Sequence, residues 1–469
     1  MPPRPEPATQ SAFRSLPEAH RTIHVPTHPS WLKRSLAFAG PGFLVSVGYM
    51  DPGNWGTDLA GGSKYAYTLL WVIFASNLIA QFLQILCARL GLATGKDLAM
   101  VCRDHYKRPV AIAMWLLAEL AIIACDLAEV VGSAVALNIL FHIRLDVGVL
   151  ITGFDVLLLL GFMRFGFRKI EAIVFTLVMT ILVCFLYEIA LASPDWAAAA
   201  KGTFLPVIPN TDALIIAVGI LGATVMPHNL YLHSSIVQTR KVAEGKQAVK
   251  EAIGFNTWDT IVALTLAFFV NAAILILAAA VFHKTGTDVE ELQQGHMILA
   301  AALGPASAVV FAVALLASGQ SSTITGTLAG QVVMEGFMHW RIAPWLRRLI
   351  TRSLAVFPAF FILRASGGQD TVQILLWSQV LLSLQLPFAV FPLITATSNR
   401  KEMGERASSR NWTVIGYATG VAIAIANVFL LWLAIGPLWT IAICAAIAAF
   451  AAYALFVYKE KPPSAAQTA

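Results

Sequence analysis

The stretch Asp51-Pro52-Gly53-Asn54 lies in the middle of an otherwise apolar run that begins near Leu36 and ends near Ala60. A second stretch, Met226-Pro227-His228-Asn229, takes the same relative place in the run from Thr211 to Gln238. Proline removes a backbone donor and collides with the preceding helical turn, so each run is expected to break as a helix near its midpoint. What surrounds those breaks follows from composition. The chain has 469 residues, of which 58% are hydrophobic and 12% are Asp, Glu, Lys or Arg, and its mean hydropathy is +0.73. Soluble domains carry about 25% charged residues. Half that density cannot cover a water-facing surface of this size, so much of the chain must face lipid. Secreted enzymes, nucleic-acid binders and disordered scaffolds are thereby excluded.

Backbone groups freed by a helix break cannot face hydrocarbon and must be buried in protein or line a cavity. Apolar stretches bounded by charge place spans at 36–60, 67–93, 109–141, 147–163 and 170–192, then at 211–238, 255–282, 305–337, 349–363 and 371–397. A final pair, 412–435 and 438–458, turns at Gly436-Pro437, giving about twelve spans in an all-α polytopic membrane protein. Breaks in spans one and six, five spans apart, match the discontinuous helices of transporters built from inverted repeats, whose binding site lies between the breaks. The expected organisation is a flexible cytoplasmic tail over 1–34, a transport core over 35–400 with repeats at 35–193 and 210–400, two extra spans over 401–458, and a cytoplasmic tail over 459–469.

With the N-terminus inside, 27 of the 32 Lys and Arg fall in inward segments, and only Lys64, Arg144, Lys201, Lys284 and Arg364 lie outward. That asymmetry is the positive-inside signature. The net charge of +6 is therefore a topology signal and not a sign of a nucleic-acid partner. The five cysteines are scattered with no CxxC pair, and no GxxxxGK[ST] run offers a nucleotide site.

An ionised Asp in mid-membrane costs about 2.5–3.5 kcal/mol on insertion scales, so Asp51 needs a cation. In the same layer stand the amide oxygen of Asn54, the Met226 thioether and the backbone carbonyls around Ala223. Oxygen ligands alone suit calcium or magnesium, whereas a thioether shifts preference toward manganese, iron and cadmium. Methionine is also a common packing residue. Asp126 and Glu129, three apart in span three, share one face, and two carboxylates buried together cannot both ionise cheaply. They can exchange a proton, or serve as internal gates paired with Arg240, Arg352 or another cation. His228 and His233, with Arg240 at the end of span six, extend a polar track inward, and Glu119 lies two turns before Asp126.

The two broken-helix motifs continue into Leu230-Tyr231-Leu232-His233-Ser234, and span eight carries Gly319-Gln320-Ser321-Ser322-Thr323 through Gly326-Thr327 and Gly330-Gln331 to Met334-Glu335-Gly336. With Asp126-Leu127-Ala128-Glu129, Ser378-Gln379 and Leu384-Gln385-Leu386-Pro387, they make residues 35–400 resemble the Nramp family of divalent metal transporters. The resemblance implies a LeuT-like fold of inverted five-helix repeats with broken first and sixth helices. It implies proton-coupled import of Mn²⁺ or Fe²⁺, with Cd²⁺, Co²⁺ and Zn²⁺ as further cargo. It also implies metal ligation by Asp51, Asn54, the Ala223 carbonyl and Met226, with Gln379 joining in some conformations. Proton transfer is implied near Asp126, Glu129, His228 and His233. The expected setting is a bacterial inner membrane, with both termini cytoplasmic, no cofactor, no nucleotide and a monomer as sufficient unit. One departure is Cys125, where many members carry threonine; it is expected to touch the proton path but no metal ligand.

Two rival functions conflict with particular residues. A sodium-coupled amino-acid carrier of the same fold conflicts with Asp51, whose fixed charge repels a substrate carboxylate. A membrane-embedded metallohydrolase using His228 and His233 conflicts with their spacing of five, because HExxH places its histidines four apart on one face.

Overall fold

The computed structural model describes residues 15–25, 30–163, 166–243, 245–286, 289, 291–340, 342–368 and 371–453. The remaining parts of the two tails lie outside the described residues. Span one is two half-helices, Pro41–Ser46 continued by a 3₁₀ turn Val47–Met50, and Pro52–Tyr65. Span six is likewise split into Thr211–Thr224 and Pro227–Ile236. The expected breaks are both present. An α-helical carbonyl accepts from the N–H four residues on. For Gly48 and Ala223 that residue is a proline, Pro52 and Pro227, so neither carbonyl has a helical donor.

Neighbouring spans meet the backbone freed near the first break. Asn271 of span seven (Lys246–Val281) donates to the Tyr49 carbonyl at 2.7 Å, and Ser318 of span eight (Pro305–Met338) donates to the Met50 carbonyl at 2.6 Å. Asp259 of span seven accepts the Gly42 N–H at 2.7 Å and holds the start of the first half-helix. The other spans are Leu70–Thr94, Arg108–Phe141, Leu145–Met163 and Phe167–Ala192 in the first half, and Pro344–Ala365 and Thr371–Gln385 with Pro387–Ser398 in the second. Among the described residues, 8 helices are long and apolar enough to cross a membrane unaided. The short half-helices of span one, the fourth span and the arginine-bearing ninth fall outside that count, and the eleventh and twelfth are counted as one.

The last pair forms a helical run over Arg410–Ala452, interrupted at Gly436, whose φ of 81° is open to glycine. Beyond it the chain doubles back, since Ile443, Ile447 and Phe450 line the same crevice as Leu431, Phe391 and Tyr106. Three short helices lie between spans where the sequence reading placed only loops: Leu98–His105, Trp196–Phe204 and Leu292–Leu303. The ninth span begins at Pro344 instead of 349, which carries Arg347 and Arg348, together with Arg352, into the packed interior.

The expected free tail is a further difference. Residues 15–25 form a strap pinned across the end of the bundle that carries the basic loops. Leu16 is buried, and its N–H donates to the Glu335 carboxylate at 2.9 Å. Gln331 donates to Glu18 at 3.0 Å, and the Arg21 N–H to the Gln238 carbonyl at 3.0 Å. Ile23–His24 then pairs in parallel with Arg240–Lys241. The Ser15 hydroxyl meets Asp97, whose carboxyl burial pushes up while Ser15 and the Met100 N–H oppose that rise. Polar composition read as solvation because the groups that receive Leu16, Glu18 and Arg21 lie more than 200 residues away.

Burying a leucine side chain stabilises by roughly 1.5–3 kcal/mol. Leu16→Asp should therefore raise the population with the strap released about 10–100-fold. Trypsin cleavage after Arg21 in the purified protein should accelerate accordingly; an unchanged rate would mean that the strap is already loose.

Candidate functional site

The helix breaks set the first ring of groups. Asp51 has extended backbone angles (φ −70°, ψ 167°) and N-caps the second half-helix of span one, accepting the Asn54 N–H at 2.9 Å. Met226 has the equivalent place in span six (φ −75°, ψ 122°). Its side chain packs with Ala121, Ala124 and Cys125 of span three and Leu382 of span ten. Gln379 of span ten lies against Gly53, where any Cβ would overlap its amide, and Gly222 presses on the Gln379 backbone in the same way. Close approach is why glycine stands at both positions.

Spans one, three, six and ten thus converge on one layer. Asp51, Asn54, Ala223, Met226 and Gln379 are all buried there, at most 1% exposed. The Asn54 Oδ1 and Gln379 Oε1 atoms have no hydrogen-bond partner among the described residues. Gln379 Nε2 is occupied, donating to Ser378 at 3.0 Å. The open groups of the layer are therefore oxygen acceptors beside a thioether.

Cys125 connects this layer to the next, and the expectation that it touches no candidate metal ligand is corrected. Its Sγ lies 3.7 Å from Asp51 Oδ2 and 3.8 Å from Glu129 Oε1. Position 125 precedes Asp126 on span three, and its thiol projects back toward the first break. Cys125 is the link between the two carboxylates.

Span three and span nine then form a ladder of ion pairs. Glu119 meets Arg347 at 2.9 Å, Asp126 meets Arg348 at 2.7 Å, and Glu129 meets Arg352 at 2.9 Å. Glu129 also accepts from Ser322 at 2.7 Å and Thr323 at 2.9 Å, two residues of the span-eight motif. The sequence reading anticipated Arg352 and missed Arg347 and Arg348. Arg348 and Arg352 are four apart on one helix face, a spacing that matches Asp126 and Glu129.

Along the second half-helix of span six, His228, Asn229, Tyr231 and His233 are buried. The His233 Nδ1 meets Gln84 at 2.9 Å, and Gln84 donates to the Tyr49 hydroxyl at 2.7 Å. His228 Nδ1, His233 Nε2 and both amide atoms of Asn229 have no partner among the described residues. Such a run of unpaired groups suits a hydrated path.

Arg240 is not part of that track, contrary to expectation. Its guanidinium pairs with Glu171 at 2.5 Å and donates to the Ala39 carbonyl at 2.6 Å. It ties the end of span six to the starts of spans five and one. Glu171 lies 69 residues upstream, so this capture was not visible locally.

The sequence profile described as Natural resistance-associated macrophage protein-like (Nramp) matches residues 42–433. The chain belongs to the Nramp family. The divalent metal cation transporter MntH of Agrobacterium fabrum is 54% identical over 422 residues, covering 89% of this chain and 91% of that protein. The protein of the same name from Nostoc sp. is 53% identical, covering 91% and 96%. A crystal structure of the Eremococcus coleocola manganese transporter superposes with a TM-score of 0.86 at 39% identity, covering 94% of this chain and 98% of that one. Mhp1, a nucleobase-cation-symport-1 family transporter, shares the fold alone, with a TM-score of 0.55 at 14% identity over 83% and 89% of the two chains.

Nramp membership and the likeness to Mhp1 establish a LeuT-like transporter with two inverted five-helix repeats. The chain is a membrane transporter and not an enzyme, which sets the metallohydrolase aside. The amino-acid carrier gives way to the same Nramp assignment.

Removing one partner of a buried ion pair costs about 3–5 kcal/mol, because the other charge is left uncompensated. Arg348→Met should therefore lower the melting temperature of the purified protein by several degrees. Adding Asp126→Asn to that variant should recover part of the loss. A single variant as stable as wild type would contradict the ladder.

Proposed function

We propose that this transporter imports divalent transition metal ions, Mn²⁺ foremost and Fe²⁺ next, across a bacterial inner membrane by alternating access coupled to protons. The metal is cargo, and no resident cofactor is involved. One observation carries the reading. Among the described residues, every carboxylate of the span-three ladder has an arginine partner, whereas Asp51 has no ion pair and faces unpartnered oxygens and a thioether. A buried carboxylate kept without a basic side chain is a receptor for a cation from outside the protein.

The ligand set is the Asp51 carboxylate, the Asn54 and Gln379 amide oxygens, the Ala223 carbonyl and the Met226 sulfur. Oxygen donors alone would accept Ca²⁺ and Mg²⁺ as well. The sulfur favours softer ions and so supplies the discrimination. The relatives named as divalent metal and manganese transporters support the same cargo.

Proton coupling is assigned to Asp126 and Glu129, reached from Asp51 along the line through Cys125, with His228 and His233 on the inner track. Glu119 and Arg347 form the end of this ladder, and Arg240 serves as a tie at the basic end. The basic end faces the cytoplasm, as the charge asymmetry indicates. Inward movement of each positive charge gains about 2.3 kcal/mol per 100 mV, so a divalent ion gains twice that and needs no ATP. The 35–400 core carries these steps, and the two C-terminal spans pack against its side.

In proteoliposomes, Asp51→Ala should abolish Mn²⁺ uptake, while Met226→Ala should keep part of it and admit more Ca²⁺. Unchanged selectivity in the second variant would remove the sulfur from the argument. Mn²⁺-driven acidification of the vesicle lumen should weaken in Asp126→Asn. Full acidification at wild-type metal flux would take Asp126 off the proton route.

A further inference from the structure

Asp58 has no part in the reading above. It stands on the outer half-helix of span one, one turn outward from Asn54 and two turns from Asp51, on the same stripe of that helix. Its side chain is 1% exposed, and neither carboxylate oxygen has a hydrogen-bond partner among the described residues. The protein satisfies neither protonation state. The charged form requires a cation, and the neutral form carries a hydroxyl that requires an acceptor.

The other faces of this half-helix are committed to packing. Trp55 lies against Phe185 of span five and Phe311 of span eight. Gly56 lies against Leu375 of span ten, and the Thr57 methyl lies near Gly219 of span six. Further outward on the Asp58 side, Gly61 and Gly62 lie against Leu275 and Ala278 of span seven, and between that contact and the break the Asn54 Oδ1 is also buried and unpartnered. Residues four apart on a helix have Cβ atoms about 5–6 Å apart, so an ion with bonds of about 2.1–2.4 Å can bridge the two side-chain oxygens.

We propose that Asp58, with the Asn54 amide oxygen, forms a second divalent-cation position one turn outward of Asp51 on the import route. The proposal rests on the metal-import reading and deepens it. This outer position is built from oxygen alone, so it takes hard ions such as Ca²⁺ and Mg²⁺ as readily as Mn²⁺. The sulfur comes only at the next step inward. Collection and discrimination are thereby separated along one helix, and Asn54 is handed from the outer ion to the inner one. Ca²⁺ outside then competes with Mn²⁺ for entry without being carried far.

The test uses the full chain in proteoliposomes, with Mn²⁺ uptake measured against rising external Ca²⁺. Asp58→Asn should raise the KM for Mn²⁺ at least about fivefold and weaken Ca²⁺ inhibition by a similar factor. The maximal rate and the preference for Mn²⁺ over Ca²⁺ as cargo should stay within about twofold of wild type. Asp58→Glu, which keeps the carboxylate, should retain Ca²⁺ inhibition, and it serves in place of the asparagine variant if that one fails to fold. Calorimetric titration of Asp51→Ala protein with Mn²⁺ alone should show one weak site that is lost when Asp58→Asn is added. Unchanged KM and unchanged Ca²⁺ inhibition in Asp58→Asn would overturn the proposal while leaving import through Asp51 intact. Absence of Mn²⁺ uptake by the wild-type protein would instead sink the import reading itself.

Discussion

A proline in the middle of a membrane-spanning helix leaves a carbonyl with no donor, and lipid offers none. This constraint organises the molecule. Pro52 and Pro227 each create such a carbonyl, so spans one and six cannot face the bilayer at their midpoints and must be enclosed by other helices. Asn271 and Ser318 answer part of the demand around Tyr49 and Met50. The groups left over point into the one layer where spans one, three, six and ten meet. The site is thus a by-product of where the backbone could not be satisfied, and the surrounding spans are arranged to enclose it.

Charge follows the same economy of partners. Span three brings Glu119, Asp126 and Glu129 into the interior, and span nine brings Arg347, Arg348 and Arg352 to meet them. Each carboxylate is matched, so the ladder can be buried without strong bias toward either sign. Asp51 is excluded from it by a single residue, Cys125, whose thiol touches Asp51 on one side and Glu129 on the other. A thiol is a weak donor, so it connects the two carboxylates while neutralising neither. The matched and unmatched acids remain separate in charge and adjacent in space.

The two breaks and the residues beside them were legible in the sequence because a proline inside an apolar run is local information. The ninth span was not. Hydropathy treats arginine as a boundary, and Arg347 and Arg348 are tolerated inside only because carboxylates on span three, more than 200 residues upstream, receive them. Arg240 was misplaced for the same reason, since its partner Glu171 belongs to another span. Cys125 was recognised as unusual, but the direction of its side chain depends on the break it faces. In each case the missing fact was a long-range contact between polar groups, which no periodicity encodes.

The strap over residues 15–25 has a consequence for how the protein is made. Leu16 and its acceptor Glu335 are separated by 319 positions. At synthesis rates of roughly 5–20 residues per second, Leu16 waits roughly 15–60 seconds for its binding partner to be made. Spans one to eight must be inserted and packed before the strap has a surface to dock on. The strap, made before the spans it docks on, is therefore among the last segments to reach its place.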